Sequence, residues 1–286
     1  MRDNSILITF SQLKSSYRKN GNELIKSAIK VGFDKAYNFS EKDIKDKKIT
    51  KKIKEFRKIG TRGYGYYIWK PYIILEALKN FKCDFVFYHD AGRQYNISYK
   101  LNNYPDKIIE HIKKYKLNFF LGQQVPQHGN LSKWTKRDCF TIMNMDKKNI
   151  YLKPQIQGGW SVWKNTPDSI RFLKEWLKYC SDIRCITDQE NVLNKENLSD
   201  FIVHRYDMSI FTLLAYKKKL NKKYYFNFSN MIVFKIFVVF FNKIKNPNLI
   251  SGNFLKMMDD TELVLKKKYW QLSTKWFSAY INKLLN

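Results

Sequence analysis

Cysteine, proline and glycine are all scarce in this chain: four, six and eleven, respectively, among 286 residues. Four cysteines (Cys83, Cys139, Cys180 and Cys185) are too few for a disulfide scaffold at this length. None sits in a C-x-x-C pair, which argues against a structural zinc site. They read as buried thiols in a reducing cytoplasm. Long apolar runs are missing too. The most apolar stretch, 231–241, is interrupted by Lys235 and is about half of the ~20 residues a spanning helix needs. Residues 6–10 are apolar but too short for the core of a secretion signal. The expectation is a cytoplasmic protein, attached peripherally, if at all, at the inner face of the cytoplasmic membrane.

Acidic residues are also sparse, 25 against 53 basic ones, and arginine is the minority cation. The formal charge of +28 favours polyanionic partners: anionic membrane, nucleic acid or phosphorylated substrates. Part of it also matches the lysine, asparagine, isoleucine and tyrosine bias of AT-rich coding. What the chain has in quantity is apolar and aromatic surface, 44% and 16% of residues, enough for a sizeable core and too much for global disorder.

Patterning predicts alternating strands and helices. Strands are expected at 5–11, 33–39, 84–89, 117–122 and near 155–163. Helices are expected at 12–31 (with Gly32 as its stop), through the lysine-rich stretch to 58, and at 69–81, 105–116, 166–180 and 206–219. The fold class is therefore α/β, a mostly parallel twisted sheet flanked by helices. From about residue 222 aromatics and lysines interleave, and a closing helix is expected at 261–285. The division expected is an α/β domain, 1–221, and a basic aromatic extension, 222–286.

Four segments carry chemistry. Asp90 ends the most apolar strand and precedes Ala91-Gly92. Ligands of open α/β sheets bind beyond the carboxyl ends of strands, so a carboxylate here can hold a divalent cation, and Gly92 permits close approach. A strand-ending Asp that only caps its turn is the plain alternative. Arg62-Gly63-Tyr64-Gly65-Tyr66-Tyr67-Ile68-Trp69-Lys70-Pro71 combines flexible backbone, flat rings and cations ahead of a helix. That suits a base, sugar or phosphate, or simply a packed turn. Because Tyr66, Tyr67 and Trp69 cannot all face one surface, at least one is expected in the core. Gln157-Gly158-Gly159 precedes a strand where backbone can approach a ligand. His204-Arg205-Tyr206-Asp207 opens a helix, which Asp207 or Ser209 could cap.

In this order, the segments resemble a family of bacterial GT-A-type glycosyltransferases from capsule and lipopolysaccharide gene clusters. The resemblance spans about residues 5–220. It rests on Gly63 to Tyr72, on Tyr88-His89-Asp90-Ala91-Gly92, on Trp134 to Asp138, on Gln157 to Val162 and on His204 to Leu214. It implies a GT-A-like fold and transfer of a sugar from a nucleotide-diphosphate donor to a glycan or lipid-linked glycan acceptor. It also implies Mn²⁺ or Mg²⁺ at Asp90. Tyr88 stands where the family has the first Asp of D-x-D, and Met208 where it has Gln. The donor side would then include Arg62, Tyr66, Trp69, Lys70, Asp90, Gly92, Gly158 and Gly159. The catalytic candidates are Asp207, His204 and Arg205, with Asp188 (next to Gln189) as a rival carboxylate. An inverting reaction needs one of Asp207 and Asp188 as base; a retaining one does not.

Two other functions compete. A nucleotidyl or sugar-phosphate transferase would share the fold class but lacks an early glycine-rich basic loop. A nucleic-acid-binding protein would explain the charge, but no helix-turn-helix, zinc-finger or RNA-recognition signature is present, and no nucleic acid is expected as partner. For the extension, rings entering the headgroup boundary while lysines meet anionic lipid is the expectation, against simple packing on the core.

Overall fold

The computed structural model describes residues 3–91, 104–125, 128–220 and 222–225. The chain divides into two units, Met1–Met231 and Ile232–Asn286, and all described residues lie in the first. Gly92 and nearly all of the basic aromatic extension fall outside them.

Five strands form one sheet: β1 Ser5–Phe10, β2 Lys35–Phe39, β3 Phe85–His89, β4 Phe119–Leu121 and β5 Trp160–Lys164. The order is β2-β1-β3-β5-β4. β1 is parallel to both β2 and β3, with Ile6 opposite Lys35 and Val86. β5 runs antiparallel to β3 and to β4, with Val86 opposite Trp163 and Phe120 opposite Val162. The sheet is therefore mixed: β1, β2, β3 and β4 point one way, the parallel majority expected, and β5 alone is reversed. An apolar strand buried on both faces looks alike in either direction, so Trp160–Lys164 gave no sign of its reversal.

Alternation along the strands sends side chains to two layers. On one face Ile6, Ile8, Phe10, Val86, Tyr88, Leu121 and Trp163 share a core with four helices. These are α2 Lys47–Ile59, α3 Trp69–Asn80, α6 Pro167–Cys180 and α7 Tyr206–Lys217. On the other face Leu7, Phe85, Phe87, Phe120 and Val162 meet Leu24 and Ala28 of α1 Tyr17–Lys30 and Ile109 and Ile112 of α4 Tyr104–Lys114. Asp46 starts α2 by accepting from Lys48 N at 2.7 Å and Ile49 N at 3.1 Å. Thr166 starts α6, accepting from Ser169 N ahead of a helix whose first residue is Pro167. The lysine-rich stretch is thus a real amphipathic helix, anchored by buried Ile49, Ile53 and Phe56.

Between β4 and β5 the chain makes a long excursion that includes α5 Arg137–Ile142. It leaves and returns as a narrow antiparallel pair, Gln124 opposite Ile156. Gly122 is required there, since a Cβ would stand 2.0 Å from Gln157 O. At the far edge Tyr225 bridges Leu121 and Tyr224 packs on Phe119, so the first residues of the extension belong to the sheet's edge. Among the described residues no helix is long and apolar enough to cross a membrane.

Candidate active site

The reversal of β5 brings its start to the same end of the sheet as the finish of β3, and the two are tied there by Asp90 N donating to Gly159 O at 2.8 Å. Lys70, in the first turn of α3, reaches this point with only 4% of its side chain exposed. Its Nζ lies 2.9 Å from Asp207 Oδ2, 3.4 Å from Asp90 Oδ1 and 3.2 Å from Gly158 O. The Tyr67 and Tyr88 rings face the same ammonium, each with its centroid 5.3 Å away. Four segments separated by up to 137 positions thus meet at one cation.

The cluster carries one net negative charge. Burial pushes Lys70 toward the neutral form, but Asp207 and then Asp90 outweigh it and raise its pKa. Burial also raises Asp207, up to about 6, against the pull of Lys70. Exposure separates the carboxylates: 5% of the Asp207 side chain is open to solvent and 38% of Asp90. Asp90 Oδ1 is taken by Lys70 and by the Tyr88 hydroxyl; Oδ2 accepts nothing from the described residues. The outward-facing group is therefore Asp90, with Asp207 behind it.

Among the described residues no three His, Cys, Asp or Glu side chains are close enough to hold a metal ion. One open carboxylate oxygen in a net-negative cluster nevertheless suits a divalent cation that takes its other oxygens from substrate phosphates.

Residues 63–67 have positive φ without a break: 50° at Gly63, 51° at Tyr64, 85° at Gly65, 56° at Tyr66 and 66° at Tyr67. Tyr66 N donates to Arg62 O and Tyr67 N to Gly63 O, closing a left-handed helical turn. Each tyrosine in it costs about 1–2 kcal/mol, while glycine does not. The strain is held by burial. Trp69 stacks on Phe10 at 4.0 Å and donates from Nε1 to Gly63 O. Tyr66 is 1% exposed, and its hydroxyl donates to Asp188 Oδ1 at 2.9 Å. Tyr66 and Trp69 are thus core residues, as the alternation required of at least one ring. Arg62 lies over the Tyr206 ring at 5.7 Å.

The remaining candidates take different positions. Asp188 is exposed and also accepts from the Tyr206 hydroxyl, at 3.1 Å on Oδ2. His204 is 1% exposed, with Nε2 donating to Cys185 O at 2.7 Å and Nδ1 accepting from Lys136 N. Burial, reinforced by Lys136, lowers its pKa to about 3. It is a neutral histidine within the core. Arg205 stacks on Trp134. Met208 lies beside Gly158, 3.5 Å from where a Cβ would be. Tyr88 and Tyr206, which hold Asp90 and Asp188, were named in the sequence but given no role as their partners; a phenol two positions before an Asp on a strand, on the same face, was the available signal for Tyr88.

No family model and no curated protein matches this chain. A solved structure described as a glycosyltransferase involved in the glycosylation of the major capsid of PBCV-1 is similar over 63% of this chain and 68% of that one, at 11% identity and a TM-score of 0.36. No residue assignment is taken from so distant a likeness.

Proposed function

We propose that this protein is a glycosyltransferase, moving a sugar from a nucleotide-diphosphate donor to a hydroxyl of a surface-polysaccharide acceptor carried on a lipid. The observation that carries the reading is Lys70 Nζ, which joins Asp90, Asp207 and Gly158 at the carboxyl ends of the parallel strands, where open α/β sheets bind ligands. A packing ion pair does not need a second carboxylate kept partly open to solvent.

In this proposal Asp90 is the donor-side residue, and Mn²⁺ or Mg²⁺ held by its open oxygen would offset the charge on the leaving diphosphate. Lys70 and Tyr88 hold Asp90 in one orientation, and Asp207 fixes Lys70. Asp188, exposed and held through both oxygens by phenols, accepts the proton of the acceptor hydroxyl. The Tyr67 and Tyr206 rings, 6.2 Å apart, lie beside Lys70 and Asp188 respectively, and such ring faces suit the apolar face of a sugar.

Calorimetric titration with UDP, GDP and CMP, each with and without Mn²⁺, beside a short single-stranded oligonucleotide, tests this. One nucleotide should bind in a Mn²⁺-dependent manner that Asp90→Asn abolishes at unchanged melting temperature. Tight binding of the oligonucleotide with no nucleotide bound would overturn the reading.

A further inference from the structure

Arg205 is set apart from the other described arginines by how closely its guanidinium lies on a ring face. Arg18 donates to the carbonyls of Ser11, Asn38 and Phe39. Arg137, Arg171 and Arg184 pair with Asp146, Asp168 and Asp182. Arg57 and Arg62 lie over the rings of Tyr64 and Tyr206, at 5.0 Å and 5.7 Å from their centroids. Arg205 gives none of its side-chain N–H groups to an acceptor among the described residues. Its guanidinium instead lies over the Trp134 ring, with Cζ 3.9 Å from the centroid.

The stack is fixed from both sides. Trp134 Nε1 donates to His128 O at 2.8 Å, and Trp134 O accepts from Arg205 N at 3.0 Å and from Ser209 Oγ at 2.6 Å. The guanidinium is half-buried, and burial lowers its pKa, with no carboxylate among the described residues to offset it. Its charge also adds to burial in lowering His128. A ring face compensates a partly desolvated cation only in part. What the stack leaves open is the edge of the planar fork, whose paired N–H groups match the two oxygens of a carboxylate or phosphate. Arg205 lies two residues before Asp207 and three before Met208, which borders Gly158.

We propose that Arg205, laid flat on Trp134, is an oxyanion-recognising residue that takes a phosphate or carboxylate group of the ligand through a two-pronged hydrogen bond. This rests on the glycosyl-transfer reading only for which ligand brings the anion, the donor's diphosphate or an acidic group on the acceptor.

The test uses the full chain, with inorganic pyrophosphate standing for the donor side and glucuronate for an acidic acceptor. Binding is followed by calorimetry and by the arginine Nε–H resonances. Arg205→Gln should weaken one of the two at least tenfold. Arg205→Lys, which keeps the charge but not the fork, should recover only a small part of that loss. Lys51→Gln, on the exposed side of α2, controls for general attraction to a basic protein and should change neither. Selective loss of pyrophosphate assigns the donor side; selective loss of glucuronate assigns the acceptor side. If Arg205→Gln lowers the melting temperature, Arg205→Lys and the wild-type Nε–H shifts carry the result. Binding of both anions within twofold of wild type in Arg205→Gln and Arg205→Lys, or Nε–H resonances unmoved at saturation, overturns the proposal. Pyrophosphate binding that depends on Arg205, in a protein that binds no nucleotide, would remove the transfer reading and leave this one standing.

Discussion

Tyr66 and Tyr206 place their hydroxyls on opposite oxygens of the same carboxylate, Asp188, and each does so from a left-handed backbone, φ 56° and 51°. Their rings lie 5.3 Å apart. Two unfavourable backbone conformations, 140 positions apart in the chain, thus serve one exposed acid. Tyr66→Phe and Tyr206→Phe should each cost about 1.5–3 kcal/mol in urea unfolding, the cost of a hydrogen bond to a charged group. Asp188→Asn should keep the melting temperature within a few degrees and lower kcat of the proposed transfer at least ~100-fold. Equal loss of stability and rate would make Asp188 only a tie between loop and turn.

Lys70 cannot be removed alone without leaving charge behind. Lys70→Met should destabilise by about 3–5 kcal/mol, because Asp207 is then buried without its partner. Lys70→Met combined with Asp207→Leu should cost clearly less than the two single changes added together. A double-mutant cycle measured by urea unfolding decides this; strict additivity would show that the two side chains do not depend on each other.

His204 gives stability a pH dependence of known sign. Its pKa is about 3 in the folded chain and close to 6.5 when unfolded, so only the unfolded state binds its proton between those values. Stability from this group is complete above pH 6.5 and declines as pH falls toward 3, by about 1.4 kcal/mol per pH unit over most of that interval. Comparing wild type with His204→Gln across pH 7 to 4 should show a slope smaller by one proton in the variant. Identical slopes would mean that His204 is protonated in the fold.

Lys116 occupies a position that favours glycine. It follows α4 with φ 52°, while Lys116 N donates to Lys113 O and Leu117 N to Ile112 O, a closed helix terminus. Lys116→Gly should stabilise by about 1 kcal/mol by relieving the left-handed strain, less some unfolded-state entropy. Thermal unfolding reads it directly, and a lowered melting temperature would contradict it.

That terminus also shows why some structure was hidden in the sequence. Gly32 ends α1 with the same bonding pattern, and its residue type announced the stop. Lys116, Asn144 and Lys219 close helices in the same way without such a signal, so helices were expected to run two residues too far at 116 and 219. All five strands were legible from apolar runs, but pairing direction is a long-range property, and β5 was read only as a strand. In the site, Asp90, Lys70, Asp207 and Gly158 were each singled out, and they do meet. Which carboxylate faces outward was not legible, because it depends on Lys70 crossing from α3 to lie between them. Arg205 stood out as a charge; its stack on Trp134, which comes about 70 positions earlier, could be seen only in the fold.

The strand order has a consequence for the chain as it is made. β4 finds its sheet neighbour only when β5 arrives, about 40 residues later, and β3 also waits for β5 on that side. At ribosomal speed the gap lasts roughly 2–8 s, during which Phe85–His89 and Phe119–Leu121 both present open edges. Gly158 leaves the ribosome just ahead of β5 and Asp207 later still, so Lys70 and Asp90 are synthesised well before these partners. A nascent chain stalled before residue 160 would hold every strand but the one that seals the sheet. That interval, rather than the finished fold, is where this protein is most exposed to aggregation and to capture by chaperones.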